Sequence, residues 1–233
     1  MTVTRDMLVG TATEHLVILQ DELMVHRAIV EPLHQLSDEA GKQGFNLSVA
    51  SGFRSFERQL AIWNAKASGE RDLLDENGQL LDAAALSETQ RMWAILRWSA
   101  LPGTSRHHWG TDLDIWDSGA VSGDYRLQLS VKEYREGGPF FPMQQWLQEH
   151  FDRNPDDFYF PYRDYRGGVM PEPWHISYRP VANRFEQALT ASQVAEVIEQ
   201  SNILLKESIL RNMEEIMARF VVVSHWKHAI KPE

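Results

Sequence analysis

Three short segments of this chain each join a strand-like run to a cluster of reactive side chains. They read Ser51-Gly52-Phe53-Arg54-Ser55, Ser105-Arg106-His107-His108-Trp109-Gly110-Thr111-Asp112-Leu113-Asp114 and Glu172-Pro173-Trp174-His175. Period-two alternation in the residues beside them predicts a β-strand before the first segment, in the second half of the second and after the third. The fold must therefore be one that brings three strand ends, widely separated in the sequence, to one place.

The wider pattern predicts an α+β fold, with a small, mainly antiparallel sheet, helices packed on one side and further helices appended at the C-terminus. Apolar spacing predicts helices within residues 12–43, 56–67, 87–98 and 141–151. Residues 68–85 contain the turn signal Asn77-Gly78 and are expected to form a surface excursion or a short hairpin. Residues 118–139 are expected to be loop.

The composition of the chain changes near residue 180. Residues 182–223 contain no Gly or Pro, and their apolar residues recur at helical spacing, which predicts one long helix or two shorter ones. We therefore divide the 233 residues into a main domain, 1–180, and a helical appendage, 181–233. The core motifs of the first domain lie within 45–180.

Charge and composition exclude several classes of function. The formal net charge of −10 and the lack of a Lys/Arg run exclude a general nucleic-acid binder. The chain has no cysteine, so any metal must be held by His and carboxylate ligands. No apolar run approaches a membrane span, and the N-terminus lacks the features of a signal peptide, so the sequence favours a cytoplasmic location.

The three segments hold the groups that a catalytic zinc site needs. Such a site takes three protein ligands and keeps one position open for water. His107 and Asp114 can face one centre if Gly110 lets the chain double back, and His175 would complete the set. Glu172 could act as a general base, and Arg54 could supply a fixed cation for a carboxylate or an oxyanion.

Taken singly, each of these features has a simpler explanation. The segment around Arg54 is more often a solvated turn, or a helix start capped by Ser55. His107 is preferred to His108 because adjacent side chains on an extended segment point to opposite faces. His225 and His228 lack a third ligand and are expected to be surface residues. The joint occurrence of the three segments carries more weight than any one of them.

In this order the segments resemble the VanY-type D-alanyl-D-alanine carboxypeptidases, zinc peptidases related to D-Ala-D-Ala dipeptidases and phage L-alanyl-D-glutamate endopeptidases. The matching motifs are SGFRS followed by Gln59, SRHHWGTDLD, and EPWH, within about residues 25–180. The resemblance implies one zinc ion per chain, bound by His107, Asp114 and His175. It also implies that Glu172 is the catalytic base, that Arg54 stabilises the tetrahedral intermediate, and that Ser105 and Gln59 line the substrate site.

Two features depart from the family pattern. Residues 68–98 look like an insertion before the zinc motif, placed to border the cleft. Asp112 stands where many members have a small apolar residue. We expect it either to support a ligand or to make the substrate pocket more acidic, and we include it among the substrate-binding candidates.

The function implied by the resemblance is hydrolysis of the terminal bond of peptidoglycan peptides that end in D-Ala-D-Ala. The alternatives are an endopeptidase or dipeptidase with the same zinc chemistry, and a catalytically silent zinc-bearing binding module. The family substrate would place this activity in the periplasm or cell envelope. The expected partner is a peptidoglycan-derived peptide, and the C-terminal helices could also mediate a homodimer.

Overall fold

The structure is a computed structural model, and it describes residues 2–223. The helices are α1 (Arg5–Val9), α2 (Val30–Lys42), α3 (Phe56–Ala67), α4 (Glu88–Leu96), α5 (Val131–Tyr134), α6 (Phe141–Arg153), α7 (Arg179–Ala188), α8 (Ala191–Gln200), α9 (Lys206–Arg211) and α10 (Met213–Ile216). The strands are β1 (Leu16–Gln20), β2 (Leu23–His26), β3 (Leu47–Ser51), β4 (Leu73–Leu74), β5 (Leu80–Leu81), β6 (Asp112–Asp117), β7 (Phe158–Tyr159) and β8 (His175–Tyr178). Short 3₁₀ turns cover Arg27–Ile29, Ala83–Ala85, Arg106–Trp109 and Ser118–Ala120, and a π-helical turn covers Met217–Val221.

A four-stranded antiparallel sheet lies at the centre of the fold, in the order β3-β6-β8-β7. One face is apolar because alternate residues of its strands, such as Leu113 and Ile115, point the same way. Helices α2 and α6 cover this face with apolar residues spaced three and four apart. The contributing side chains are Leu33, Leu36, Ala40, Met143, Leu147 and Phe151. The predicted α+β class with a small antiparallel sheet is confirmed.

The N-terminal region differs from the expected helix over residues 12–43. Its first half forms the hairpin β1–β2, turned at Asp21, and only α2 is helical. The short apolar run Leu16-Val17-Ile18-Leu19 fits helical and strand spacing equally well, so periodicity alone did not separate the two. The hairpin is held by tertiary contacts, since Phe53 N–H donates to Met24 O at 2.8 Å and His26 N–H donates to Gly110 O at 2.8 Å.

The C-terminal helices pack into a second apolar core together with earlier parts of the chain. This core joins residues of α1, α3 and α4 to residues of α7 through the π-helical turn, including Met7, Trp63, Ile95, Phe185, Val194, Ile198, Ile209, Ile216 and Phe220. Trp63 also donates its indole N–H to Leu204 O at 3.0 Å. The apolar residues of the C-terminal helices in this core are therefore buried within one chain, and no second copy is needed to cover them.

Up to residue 223, where the described part of the chain ends, the appendage contains four short helices and a π-helical turn instead of the one or two helices expected. Capped or irregular residues interrupt it: Thr190 caps α8, and Leu205 adopts a left-handed φ of 65° before α9. Such residues separate one helix from the next without Gly or Pro, so the absence of those two residues did not predict the lengths of the helices. The division at residue 180 and the homodimer stay predictions. His225, His228 and the rest of 224–233 lie outside the described residues.

Residues 68–98 do contain a short hairpin, β4–β5, followed by α4, as the sequence predicted for this excursion. The Trp98 indole N–H donates to Asp75 O at 3.1 Å and ties this hairpin to the residue that ends the segment. Among residues 2–223, no helix combines the length and apolar content that crossing a bilayer requires.

If the C-terminal helices are part of the core, truncating a buried side chain there should destabilise the protein. We expect Ile198→Ala, at a fully buried position, to lower the free energy of unfolding by about 2–5 kcal/mol. The matched control Leu204→Ala, at a side chain that is 44% exposed, should change it by less than about 0.5 kcal/mol. Urea denaturation of the two variants measures both values. Equal effects would contradict a shared core.

Candidate metal centre and active site

The strand register places a carboxylate and an imidazole side by side on the face of the sheet opposite α2 and α6. Asp114 of β6 is paired with His175 of β8, and Ser51 of β3 is paired with Asp114 on its other side. Side chains directly opposite each other in an antiparallel pair point to the same face. Because Leu113 and Ile115 point into the core, Asp112 and Asp114 must point to the opposite face.

His107 reaches the same place from the 3₁₀ turn before β6. Gly110 ends this turn with a φ of 68°, in the left-handed region that glycine adopts without strain. A Cβ at this position would lie 2.6 Å from Leu16 Cδ2 and 2.7 Å from His26 N, so the β1–β2 hairpin also requires glycine here. The turn sets His107 Nε2 3.5 Å from Asp114 Oδ2.

His107, Asp114 and His175 together form a buried group suited to a metal ion. One candidate ligand atom from each residue lies within 4.8 Å of the others. Asp114 Oδ1 is buried and has no hydrogen-bond partner among the described residues, although a buried carboxylate oxygen is normally paired. Two imidazoles and one carboxylate are a donor set of catalytic zinc sites, so the residues present fit zinc.

Both imidazoles are held so that one ring nitrogen is directed at this group. His107 Nδ1–H donates to Gly52 O at 2.9 Å, which leaves Nε2 facing Asp114. His175 Nε2–H donates to Asp112 Oδ1 at 3.0 Å, and its Nδ1 lies 3.6 Å from Asp114 Oδ1. Acceptors behind the ligating histidines fix the tautomer and the ring orientation in metal sites.

Glu172 and Arg54 flank this group. Glu172 Oε2 lies 3.1 Å from His175 Nδ1, and the Glu172 side chain is 16% exposed. Arg54 Nη2 lies 3.9 Å from Asp114 Oδ2, while its guanidinium donates to Gln59 Oε1 at 3.1 Å and to Ser51 Oγ at 3.3 Å. The cation is thus held beside the candidate metal ligands and still has partial access to solvent.

His108 has a structural role that the sequence did not indicate. Its Nε2 accepts the Gly103 N–H at 3.0 Å, so its Nδ1–H donates to Arg54 O at 2.6 Å. Burial lowers the pKa of His108 to about 3, and the ring is therefore neutral at ordinary pH. Together with the bond from Arg54 N–H to His107 O at 3.1 Å, this contact anchors the Arg54 main chain on the turn that carries His107.

A small cavity of about 180 Å³ opens beside this group. Its lining consists of Arg54, Trp98, Ser99, Ala100, Ser105, Arg106, His107, Asp114, Tyr162, Val169, Glu172, Trp174 and His175. The structure thus brings Ser105, Arg54 and Glu172 to one cavity with the candidate metal ligands.

Two substrate-site candidates do not line this cavity. Gln59 is buried and uses its amide to hold Arg54, with its NH₂ group donating to Ala100 O at 2.7 Å. Asp112 is fully buried behind His175, so it does not belong to an acidic substrate pocket. The physical reason is the same for both residues, because each side chain is buried and hydrogen-bonded to internal groups. For Asp112, the alternative of supporting a ligand agrees with its position.

The sequence did not indicate Tyr162 or Val169 as cavity residues, whereas Trp98 ends the segment 68–98 that was expected to border the cleft. Tyr162 packs edge-on against His175, with ring centroids 5.0 Å apart, and burial raises the pKa of its hydroxyl so that it stays protonated. Val169 follows Gly168, where a Cβ would lie 1.9 Å from Arg219 O in the C-terminal segment. The only available signal was the density of aromatic residues in FYFPYRDYR, which does not say which of them reach the cavity.

The charges of the group are strongly coupled. Burial would lower the pKa of His175, but hydrogen bonds to Asp112 and Glu172 and the charges of Asp112 and Asp114 raise it to about 9. Burial would raise the pKa of Asp114, yet the neighbouring His107, His175 and Arg54 lower it. Burial would also raise the pKa of Asp112, and Arg106 and His175 lower it further than burial raises it. Both aspartates are therefore ionised at neutral pH.

A mixed α/β fold with a His-Asp-His group, an adjacent glutamate and an arginine at one cavity defines a candidate metallohydrolase. Comparison with known proteins specifies the class further: residues 22–181 match the family model VanY, described as D-alanyl-D-alanine carboxypeptidase. Because this match covers more than half of the residues, the chain belongs to the VanY family. It is therefore a metallopeptidase of a family that acts on peptidoglycan, and His107, Asp114 and His175 are its candidate zinc site.

The chain is also similar to individual known proteins. An uncharacterized protein of Haemophilus influenzae is 45% identical over 105 residues, covering 43% of this chain and 72% of that protein. A second uncharacterized protein of the same organism is 34% identical over 127 residues, covering 52% of this chain and 93% of that protein. Among solved structures, VanYB in complex with D-alanine-D-alanine has the same fold, with a TM-score of 0.53 and 24% identity over 83% of this chain and 92% of that one.

Zinc affinity should rise with pH because the raised pKa of His175 makes a proton compete with the metal. Below pH about 9 the imidazolium dominates in the metal-free protein, so binding must release the proton on Nδ1. We expect the apparent affinity to increase about tenfold per pH unit between pH 7 and 9 and then to level off. Chelator competition at several pH values measures this slope. A constant affinity across that range would contradict the assignment of His175 as a ligand.

Proposed function

We propose that the protein is a zinc-dependent carboxypeptidase that removes the terminal D-alanine from peptidoglycan peptides ending in D-Ala-D-Ala. The observation that carries this proposal is the buried His107, Asp114 and His175 group with Glu172 3.1 Å from His175 Nδ1 at the cavity wall. Family membership supplies the peptide chemistry. VanYB, which shares the fold, was solved with D-alanine-D-alanine, and this supports the choice of substrate.

The shape and charge of the cavity favour a peptide terminus over the middle of a chain. Trp98, Ser99 and Ala100 belong to its lining, and the Trp98 indole N–H donates to Asp75 O. The cavity is small, and Arg54 offers it a fixed guanidinium. A short C-terminal residue with its carboxylate suits such a site, because a guanidinium binds a carboxylate through two parallel donors.

Zinc, when bound, would supply Lewis acidity toward the scissile carbonyl and lower the pKa of a water molecule. His107, Asp114 and His175 are the residues that would hold it. Glu172 then takes the proton from the attacking water and delivers it to the leaving amine. Arg54 stabilises the negative charge that develops on the carbonyl oxygen, and Gln59 with Ser51 keeps its guanidinium oriented. Ser105 contributes a polar group to the cavity wall.

The reaction can be tested with three peptides that differ at the C-terminus. The zinc-loaded protein is incubated with a pentapeptide ending in D-Ala-D-Ala, with its C-terminal amide, and with the free dipeptide, and products are identified by mass. We expect loss of one D-alanine from the free pentapeptide and little reaction with the amide. Cleavage of an internal bond would indicate an endopeptidase and cleavage of the dipeptide alone a dipeptidase. If none of the peptides were cleaved, the result would favour the alternative of a catalytically silent zinc-bearing binding module.

Removal of the base should separate catalysis from metal binding. Glu172→Ala and Glu172→Gln are both expected to retain zinc but to lose about 10²–10⁴-fold in kcat, because neither side chain can accept the proton. Zinc content is measured by metal analysis and turnover with the pentapeptide. The control Glu57→Gln, on the exposed side of α3, should retain both. A Glu172→Ala protein with zinc bound and unchanged turnover would remove the base from the mechanism.

Arg54 variants should reveal whether the cation acts on the transition state or on the bound substrate. Arg54→Ala should keep zinc and lose about 10²–10³-fold, mainly in kcat if the guanidinium stabilises the oxyanion and mainly as a rise in KM if it only binds the carboxylate. Arg54→Lys should restore only part of the loss, because a point charge does not replace a planar pair of donors. Arg58→Ala, at an exposed neighbour on α3, serves as the control. Unchanged kinetics in Arg54→Ala would exclude both roles.

A further inference from the structure

A buried chain of charged groups lies behind the candidate metal ligand His175. Asp112 Oδ1 accepts hydrogen bonds from His175 Nε2 at 3.0 Å and from Arg106 Nε at 2.7 Å. Arg106 Nη1 in turn donates to Glu186 Oε2 at 2.6 Å. The side chains of Arg106, Asp112 and Glu186 are at most 2% exposed. Charges this deeply buried interact strongly because little water screens them.

The remaining polar atoms of the chain are also engaged. Arg106 Nη2 donates to Ser177 Oγ at 2.9 Å and to Tyr159 OH at 2.8 Å, and its guanidinium lies 4.7 Å from the Trp109 ring centroid. Asp112 Oδ2 accepts from Thr111 Oγ1 at 2.7 Å and from Ser177 Oγ at 3.0 Å. Several partners therefore fix the orientation of both Arg106 and Asp112.

The charge balance explains why two carboxylates face one guanidinium. With Glu186 present, Arg106 shares its positive charge between two carboxylates, so Asp112 retains negative charge to direct at His175. Without the Glu186 charge, Arg106 would act on Asp112 alone and weaken it as an acceptor for His175 Nε2–H. A weaker acceptor lowers the basicity of the ligating nitrogen and with it the affinity for the metal.

We propose that Glu186 is a positioning residue of the metal centre, which acts through Arg106 and Asp112 to hold His175 in its metal-binding orientation. Glu186 lies on α7, outside residues 22–181 that match the family model, so the C-terminal helices contribute directly to the site. The inference rests on the proposed function in one respect only, namely that His175 is a zinc ligand.

The test is a double-mutant cycle with zinc affinity as the readout. Chelator competition gives the zinc dissociation constant of Asp112→Asn, Glu186→Gln and the double variant, and thermal melting of each metal-free protein reports its stability separately. We expect Asp112→Asn to weaken binding about 10–100-fold and Glu186→Gln about 3–10-fold, since it acts one step further away. Because Glu186 acts through Asp112, the double variant should match Asp112→Asn alone.

Two further variants separate positioning from general stability. Asp117→Asn removes the charge of another buried carboxylate of β6. Asp117 accepts the Asn46 N–H at 2.9 Å and contacts none of the candidate metal ligands in the described contacts, so this variant should keep its zinc affinity within about twofold. Glu186→Asp retains the charge with a shorter side chain. Should Glu186→Gln fail to fold, the affinity of Glu186→Asp should still lie closer to that of the wild type than to that of Asp112→Asn.

The outcomes are distinguishable. Unchanged zinc affinity in Glu186→Gln, or additive losses in the double variant, would overturn the positioning role and leave the proposed function intact. An equal loss of zinc affinity in Asp117→Asn and Glu186→Gln would also overturn the positioning role, because general destabilisation would then explain the loss. A wild-type protein that binds zinc but cleaves none of the peptides would overturn the proposed function alone. A wild-type protein that binds no zinc would overturn both.

Discussion

The pairing of Asp114 with His175 on neighbouring antiparallel strands is the constraint on which the site depends. It aligns a carboxylate and an imidazole on one face while Leu113 and Ile176 pair on the other face and close the core. A shift of one residue in this register would turn Asp114 into the core and expose Leu113, so packing and site formation select the same pairing. The apolar layer against α2 and α6 therefore also holds the candidate metal ligands.

The second determinant is the set of acceptors behind the two histidines. Gly52 O holds His107 and Asp112 holds His175, and each leaves one ring nitrogen directed at Asp114. The β1–β2 hairpin supports the first of these acceptors, because a Cβ at Gly52 would lie 2.6 Å from Met24 O. Arg106 and Glu186 support the second. Segments outside the three motifs thus take part in forming the site.

Much of the candidate site could be predicted from the sequence, because few residue types can hold zinc in a chain without cysteine. His107, Asp114 and His175 meet in one buried group, with Glu172, Arg54 and Ser105 at the same cavity. Gln59 and Asp112 do not line this cavity, and Asp112 instead supports His175. Nothing in a linear motif says whether a polar side chain meets substrate or an internal partner, since that depends on residues such as Ala100 and Arg106 that only the fold brings near.

By itself the sequence determined the α+β class, strands β3, β6 and β8, helices α3, α4 and α6 and the types of group available for chemistry, because periodicity and residue chemistry are local properties. Only the tertiary structure decided that residues 16–26 form a hairpin and that the C-terminal helices share a core with α1, α3 and α4. It also decided that Glu186 lies beside Arg106. Contacts between residues far apart in the chain arise from packing, in which the burial of apolar area and the pairing of buried charges outweigh local preference.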